Sequence, residues 1–365
     1  GLSVVSRAVS PRSTLPVLSN ILIATDEGRL RLSATNLELG ITCWIAARID
    51  EEGSTTVPAR TFGDLVNTLP GDQVQLALDV KTQSLHVKGG TSNNDIKCID
   101  AQEFPPLPVP EMEGAMQLNV ADFKEMIQQV AFAASTDESR PVLMGVLLHV
   151  EKDKLTMAAA DGFRLSVRKA VLSNPATHPL NVIIPARALN ELARVAADGE
   201  EPIYMVVPKN RGQVLFRVKD VEVVSQLIDG TFPDYQQIIP RNYKSRTLVS
   251  TASLLKACKQ AEIFAREGSN VARFDIKQSN GEMQPSEVEI SATSEETGKN
   301  ETIVEATVDG GSVLIAFNVK FLREALEVIK TPNVALETSA ANAPGVVRPV
   351  GDDDFLHVIM PMHLG

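Results

Sequence analysis

The chain repeats itself at the scale of a whole domain. Pro58-Ala59-Arg60 precedes Phe62, Leu65, Val66 and Leu69, and 127 positions later Pro185-Ala186-Arg187 precedes Leu189, Leu192 and Val195. A third apolar stripe of helical spacing, Leu322, Ala325, Leu326 and Ile329, begins 133 positions beyond Leu189. Leu15-Pro16-Val17-Leu18 matches Arg140-Pro141-Val142-Leu143, and Ala34-Thr35-Asn36 matches Ala159-Ala160-Asp161, both at an offset of 125. Ala292-Thr293-Ser294 is a third copy of the latter. Short periods stack into solenoids, whereas a period of this length is a domain in itself. Three similar domains in series are the expected architecture.

With 365 residues, 44% of them hydrophobic, the chain has material for more than one core. Two proline-rich joints separate the repeats: Phe104-Pro105-Pro106-Leu107-Pro108, and Phe232-Pro233-Asp234-Tyr235 through Pro240. Proline fixes φ and stops both helix and central strand, so these joints stiffen the passage between domains. The expected domains are residues 1–113, 114–243 and 244–365.

Periodicity assigns each repeat the same plan. In the second, a strand over Met116–Val120 leads to a helical stripe at Phe123, Met126, Ile127 and Val130. Strands are expected at Val142–Val150, Lys154–Ala159 and Arg164–Val171, with turns at Glu151-Lys152-Asp153 and Asp161-Gly162. Asn181–Ile184 runs into a helix opened by Pro185, which suits a first helical position because its missing N–H has no partner there. Strands return at Ile203–Val207, Val214–Val218 and Val221–Leu227. Two helices on an antiparallel β framework make each repeat an α+β domain. Repeats two and three open with strands, at Met116–Val120 and Thr247–Ser250, but repeat one starts within a helix at Gly1–Val5. Roughly ten residues with a first strand are therefore expected to precede Gly1.

Acid outweighs base, 46 Asp and Glu against 35 Lys and Arg, for a net charge of −11. This argues against coating nucleic acid by bulk electrostatics, and leaves open a few basic residues gathered on one inner face. Cys43, Cys98 and Cys258 have neither zinc nor disulfide spacing and read as reduced, small hydrophobes. No long apolar run and no basic leader with a cleavage site is visible, the pattern of a soluble protein with no membrane partner.

Motifs that carry chemistry are sparse. Gly89-Gly90 lacks the lysine and helix of a phosphate loop and reads as a hairpin turn. His86, His149, His178, His357 and His363 lack metal-ligand spacing, and Asp352-Asp353-Asp354 lacks the glycine and distal glutamate of a calcium loop. Asp161-Gly162-Phe163-Arg164 sets an acid beside a glycine, but its counterpart Asn36-Leu37-Glu38 makes it a turn of the fold. No nucleophile, base and oxyanion set assembles, so no catalytic residue, metal or cofactor is expected. The terminal Val358-Ile359-Met360-Pro361-Met362-His363-Leu364 is apolar where chain ends are usually polar. It reads as an edge strand on the third core or as an adaptable, methionine-rich groove.

Several segments together resemble the bacterial DNA polymerase III beta subunits, the sliding clamps: Leu15-Pro16-Val17-Leu18-Ser19-Asn20, Val57-Pro58-Ala59-Arg60, Ala160-Asp161-Gly162-Phe163-Arg164-Leu165, Asp229-Gly230-Thr231-Phe232-Pro233-Asp234-Tyr235, Phe317-Asn318-Val319 and Val358-Ile359-Met360-Pro361-Met362. The resemblance runs through the whole chain in order. It implies a head-to-tail homodimeric ring of six domains with pseudo-sixfold symmetry, a processivity subunit without catalysis that encircles duplex DNA. Two helices per domain at ~10 Å each give a ring of axes roughly 120 Å around and an opening of nearly 30 Å, wide enough for a duplex. A head-to-tail contact with the right rotation closes.

The resemblance also implies residue roles. DNA-facing candidates are Arg12, Arg60, Arg140, Arg187 and Arg194. A partner-peptide pocket maps onto Leu143, Ala160, Gly162, Arg164, Leu165, Pro233, Ile238, Val358 and Met360, with a second part at Phe163, Asn318, Phe321, Pro361, Met362 and His363. Departures from the family's common pattern stand at Phe163, Gln237 and Val142. Dimer contacts would pair Ile96 and Cys98 with Ile263 and Phe264 of a second copy. Implied partners are duplex DNA, the DNA polymerase III alpha subunit, the clamp-loader delta subunit, and other polymerases and repair proteins carrying a clamp-binding peptide. The implied location is the bacterial cytoplasm, at the nucleoid and replication fork. Two rival readings are a metal-dependent nucleic-acid hydrolase, which should cluster carboxylates or histidines, and a monomeric β-rich scaffold, which differs only in closure.

Overall fold

Alternating apolar and polar residues build most of this molecule as antiparallel strands. The computed structural model describes residues 1–109, 111–209, 212–279, 281 and 285–364. Repeat one comprises α1 (Leu2–Val5), β1 (Asn20–Asp26), β2 (Arg29–Thr35), β3 (Leu39–Ile45), β4 (Ser54–Pro58), α2 (Ala59–Thr68), β5 (Gln75–Asp79), β6 (Ser84–Gly89) and β7 (Ser92–Lys97). Repeat two comprises β8 (Met116–Leu118), α3 (Val120–Val130), β9 (Gly145–Glu151), β10 (Lys154–Ala160), β11 (Arg164–Val171), β12 (Leu180–Pro185), α4 (Ala186–Val195), β13 (Ile203–Val206), β14 (Gln213–Val218) and β15 (Val221–Gln226). Repeat three comprises β16 (Ser245–Ser250), α5 (Thr251–Ala265), β17 (Val271–Lys277), β18 (Glu287–Ser294), β19 (Gly298–Gly310), β20 (Val313–Asn318), α6 (Val319–Glu327), β21 (Asn333–Thr338), β22 (Gly345–Pro349), β23 (Phe355–Ile359) and β24 (Pro361–Met362).

The compact units of the chain cut across the repeats. One unit joins residues 1–123 with 187–227, the other 124–186 with 228–365, so repeat two is shared between them. The cause is sheet continuity. In the first unit β4-β1-β2-β3 of repeat one continues into β15-β14-β13-β8 of repeat two, beside a separate sheet β5-β6-β7. In the second, β12-β9-β10-β11 of repeat two continues into β23-β22-β21-β16-β19-β18-β17-β20-β24 of repeat three. Backbone hydrogen bonds cross each seam as they would inside one domain.

Helices α4 and α6 bury the stripes read from the sequence, whereas on α2 Phe62 is buried and Leu65, Val66 and the C-cap Leu69 are half-buried. Leu189, Leu192 and Val195 are buried on α4, as are Leu322, Ala325 and Leu326 on α6. Asn318 caps α6, its Oδ1 accepting from the amides of Lys320 (3.1 Å) and Phe321 (3.3 Å). In repeat three α5 and α6 cover a core that contains Cys258 and an edge-to-face pair, Phe274 and Phe317, with centroids 5.6 Å apart. Burial pushes the Cys258 thiol up, away from the reactive thiolate, as suits a core hydrophobe. No helix among the described residues is long and apolar enough to cross a membrane.

Two local expectations are corrected. Val142–Val150 is not one strand: Pro141–Met144 is a 3-10 turn and the strand begins at Gly145. Pro141 has no N–H for a ladder, and the equivalent Pro16–Ser19 turns in the same way. Pro185 is the last residue of β12, paired with Gly145, rather than the first of α4. Its counterpart Pro58 has ψ 118° and stands at the N-cap of α2, still extended.

Candidate functional site

The C-terminal tail lies inside the sheet. β23 sits between β11 and β22, with Leu165 facing Val358 and Arg164 facing Ile359. The Met360 amide then donates to the Phe163 carbonyl at 2.9 Å. Only Pro361 and Met362 form an edge strand, β24, against Phe317 and Ala316. The tail thus links the Asp161–Arg164 turn of repeat two to the strand that precedes α6.

An apolar floor forms at this seam. Ala160, Leu165 and Val358 are buried with Phe232, and Val142, Tyr235 and Ile239 pack half-buried against them. Pro233, Ile238 and Met360 remain exposed around it, and Phe163 is 57% exposed. Leu143 is half-buried, its carbonyl accepting from the Ser135 amide at 2.8 Å. Gly230, at φ 133°, lets the joint pass close to Val142, whose Cγ2 would lie 2.7 Å from an added Cβ. The turn itself is closed by Asp161, whose Oδ1 accepts from the amides of Phe163 (2.8 Å) and Arg164 (3.0 Å), with Gly162 at φ 94°.

Arg164 is the fixed charge of the site. Its side chain is 9% exposed and donates to Asp161 Oδ2 (3.1 Å) and to the Phe132 carbonyl (3.0 Å), and it pairs with Glu324 of α6. The guanidinium lies 4.2 Å from the centroid of Phe321 and 5.3 Å from that of Phe132. Behind it His357 is buried, stacked on Phe132, with Nδ1 2.7 Å from Ser166 Oγ. Burial, with the nearby Arg164 charge, pushes the His357 pKa down to about 3 and keeps the ring neutral. The remaining candidates Pro361 and Met362 are half-buried and His363 is exposed. The arrangement offers an apolar floor and exposed apolar rims beside one locked cation.

Four of the basic candidates lie in the first unit. Arg12 and Arg187 are exposed; Arg60 is exposed 3.8 Å from Asp64; Arg194 is exposed but paired with Glu191 at 2.9 Å. Glu191 also accepts from Arg7 at 3.2 Å, which ties the turn after α1 to α4. Arg140, in the second unit, differs: it donates to Asp137 (2.9 Å), the Asp161 carbonyl (2.9 Å) and Ser135 (3.4 Å), holding the loop before β9.

Ile96, implied as a dimer contact, is turned inward in this chain. Ser92, Asn94 and Ile96 share the inner face of β7, where Ile96 faces Leu85 and is only 6% exposed. Cys98 is half-buried and Phe264 packs partly on the third core, while Ile263 is 58% exposed. Phe132, Ser166 and Glu324 were not readable as site residues, since each meets its partner only through folding. Glu191 carried a signal, its three-residue spacing to Arg194 within an apolar helical stripe.

Known proteins resemble this chain along its length. Family profiles for the DNA polymerase III beta subunit match in succession: the N-terminal domain over residues 1–108, the central domain over 117–234 and the C-terminal domain over 236–363. A Beta sliding clamp of Staphylococcus aureus is 36% identical over 365 aligned residues, covering 98% of this chain and 94% of that protein. The DNA polymerase sliding clamp of Bacillus subtilis matches with TM-score 0.91 at 31% identity, covering 100% of this chain and 96% of that one. The DNA polymerase III subunit beta of Pseudomonas aeruginosa matches with TM-score 0.89 at 28% identity and the same coverage.

Proposed function

The chain belongs to the DNA polymerase III beta subunit family, the sliding clamps, and on that premise we propose that two copies close head to tail into a ring around duplex DNA. Its function is that of a clamp, holding a polymerase on its template. We assign it no catalysis, domain limits at 1–113, 114–243 and 244–365, and a place in the cytoplasm at the replication fork.

One regularity carries the ring. At each seam the third strand of a four-element sheet pairs with the last hairpin strand of the next repeat: β3 with β15, and β11 with β23. The corresponding third strand of repeat three is β19, paired with β18 over Gly298–Glu305 and bearing no strand on its other side there among the described residues. The corresponding last strand of repeat one is β7, an edge strand. Helices follow the same rule: Arg7 after α1 reaches Glu191 on α4, and Gln129 of α3 donates to the Val328 carbonyl after α6 at 3.3 Å. That rule leaves α5, with exposed Ile263, for α2 of a second copy, where Leu65 and Val66 are half-buried. Joining β19 to β7 of a partner is a heterologous contact, which closes or propagates according to its rotation; two copies of three domains close it.

Arg12, Arg60, Arg187 and Arg194 are the proposed phosphate contacts, weak and salt-screened, so that the clamp slides. The seam between β11 and β23 is the proposed docking site for the DNA polymerase III alpha subunit, the clamp-loader delta subunit and other proteins with a short apolar peptide. Loaded protein should stay on closed circular DNA in salt that strips ordinary phosphate binders and should leave once the circle is cut. Equal loss from circular and linear DNA would rule out encirclement.

A further inference from the structure

The seam between repeats one and two is built like the seam that carries the peptide site. Asn36 closes the turn between β2 and β3 by accepting from the amides of Glu38 (3.0 Å) and Leu39 (2.8 Å), as Asp161 does in repeat two. Leu37 takes the place of Gly162, at φ 76° against 94°. Gly40 faces Val224 across the strands as Leu165 faces Val358. The joint Pro105–Pro108 stands where Pro233 and its neighbours stand at the other seam. Together Thr35, Glu38, Gly40, Pro105, Val224 and Gln226 wall a notch of ≈ 190 Å³.

The turn demands a positive φ here in both repeats, but two residue choices at this notch go beyond that demand. A leucine in the left-handed region carries a steric cost that glycine would avoid, yet Leu37 holds φ 76° and is 52% exposed on the rim. A strained backbone kept for a leucine that faces outward points to contact with another molecule. Beside it, exposed Glu38 offers a carboxylate to a basic group. The size is set from within: a Cβ at Gly40 would lie 2.7 Å from Leu107 Cδ2, so the glycine makes room for Leu107 on the floor. What remains is below the roughly 300 Å³ at which ordinary ligand pockets begin, and is room for one side chain.

We propose that this notch is a second docking site, which receives one aliphatic side chain of a partner polypeptide beside a basic residue held by Glu38, and that Leu107 limits it to a single anchor. The proposal rests on the peptide reading of the other seam only through their common architecture. The full chain is titrated with a fluorescein-labelled octapeptide carrying one leucine, one phenylalanine and one lysine. Two classes of site are expected, and Leu107→Ala should tighten the weaker at least tenfold, with Leu107→Val in between. Leu37→Ser with Glu38→Lys should abolish the weaker class alone, whereas removing Met360–Leu364 should abolish the stronger alone. A single class in both the wild-type and Leu107→Ala proteins overturns the proposal, as does a weaker class that survives Leu37→Ser with Glu38→Lys. Absence of the stronger class alone overturns the peptide reading of the other seam and leaves this one standing.

Discussion

Ser166 Oγ and His357 Nδ1 meet at 2.7 Å across β11 and β23, inside the seam between repeats two and three. The pair is buried, and the imidazole is walled by Phe132 and by the Arg164 charge. A neutral histidine is therefore part of what joins the two repeats.

This pair makes the seam acid-sensitive. The folded His357 pKa is pushed down to about 3, below its ordinary 6.5, so from pH 6.5 downward the unfolded chain binds a proton that the native chain refuses. Stability is lost as pH falls through that window, by about 2 kcal/mol at pH 5. Urea titrations at pH 7 and pH 5 should show this loss, and His357→Leu should remove that share of it. An identical pH dependence in the variant would exclude His357 as its source.

Arg164→Ala should destabilise the protein by about 3 kcal/mol, because it leaves the largely buried carboxylate of Asp161 without its cation and Glu324 with only Arg323, 3.7 Å away. Arg164→Lys should recover little, since an ammonium cannot serve both acids and the Phe132 carbonyl in the planar fork of a guanidinium. Chemical denaturation of the three proteins tests this. Full recovery by lysine would show that charge alone suffices.

Ile263→Asp should convert dimer to monomer in sedimentation velocity with the thermal midpoint of the monomer little changed. Ile263 is 58% exposed, so a charge there is solvated in the separate chain but buried in the proposed contact. A dimer that persists at micromolar concentration places the interface elsewhere.

Removal of Met360–Leu364 should abolish polymerase and loader binding while the dimer remains. It takes away the Met360 amide that bonds the Phe163 carbonyl, and strand β24, but leaves β23 in place. Unchanged affinity for those partners would reduce the tail to an edge strand.

The sequence by itself determined the threefold architecture, the apolar faces of α2, α4 and α6, and the turn at Asp161, because spacing along a chain dictates which side chains share a face of a local element. Even the meeting of Leu165 with Val358 was implied by the family resemblance. Tertiary structure alone decided that Ile96 turns inward, that Arg140 holds a loop, that β23 is an interior strand, and that Arg164 pairs with Glu324, 160 positions away. Period records the face a residue occupies, but burial and ion pairing depend on which distant element covers that face. That choice is made by strand register and packing between repeats, which no local spacing encodes.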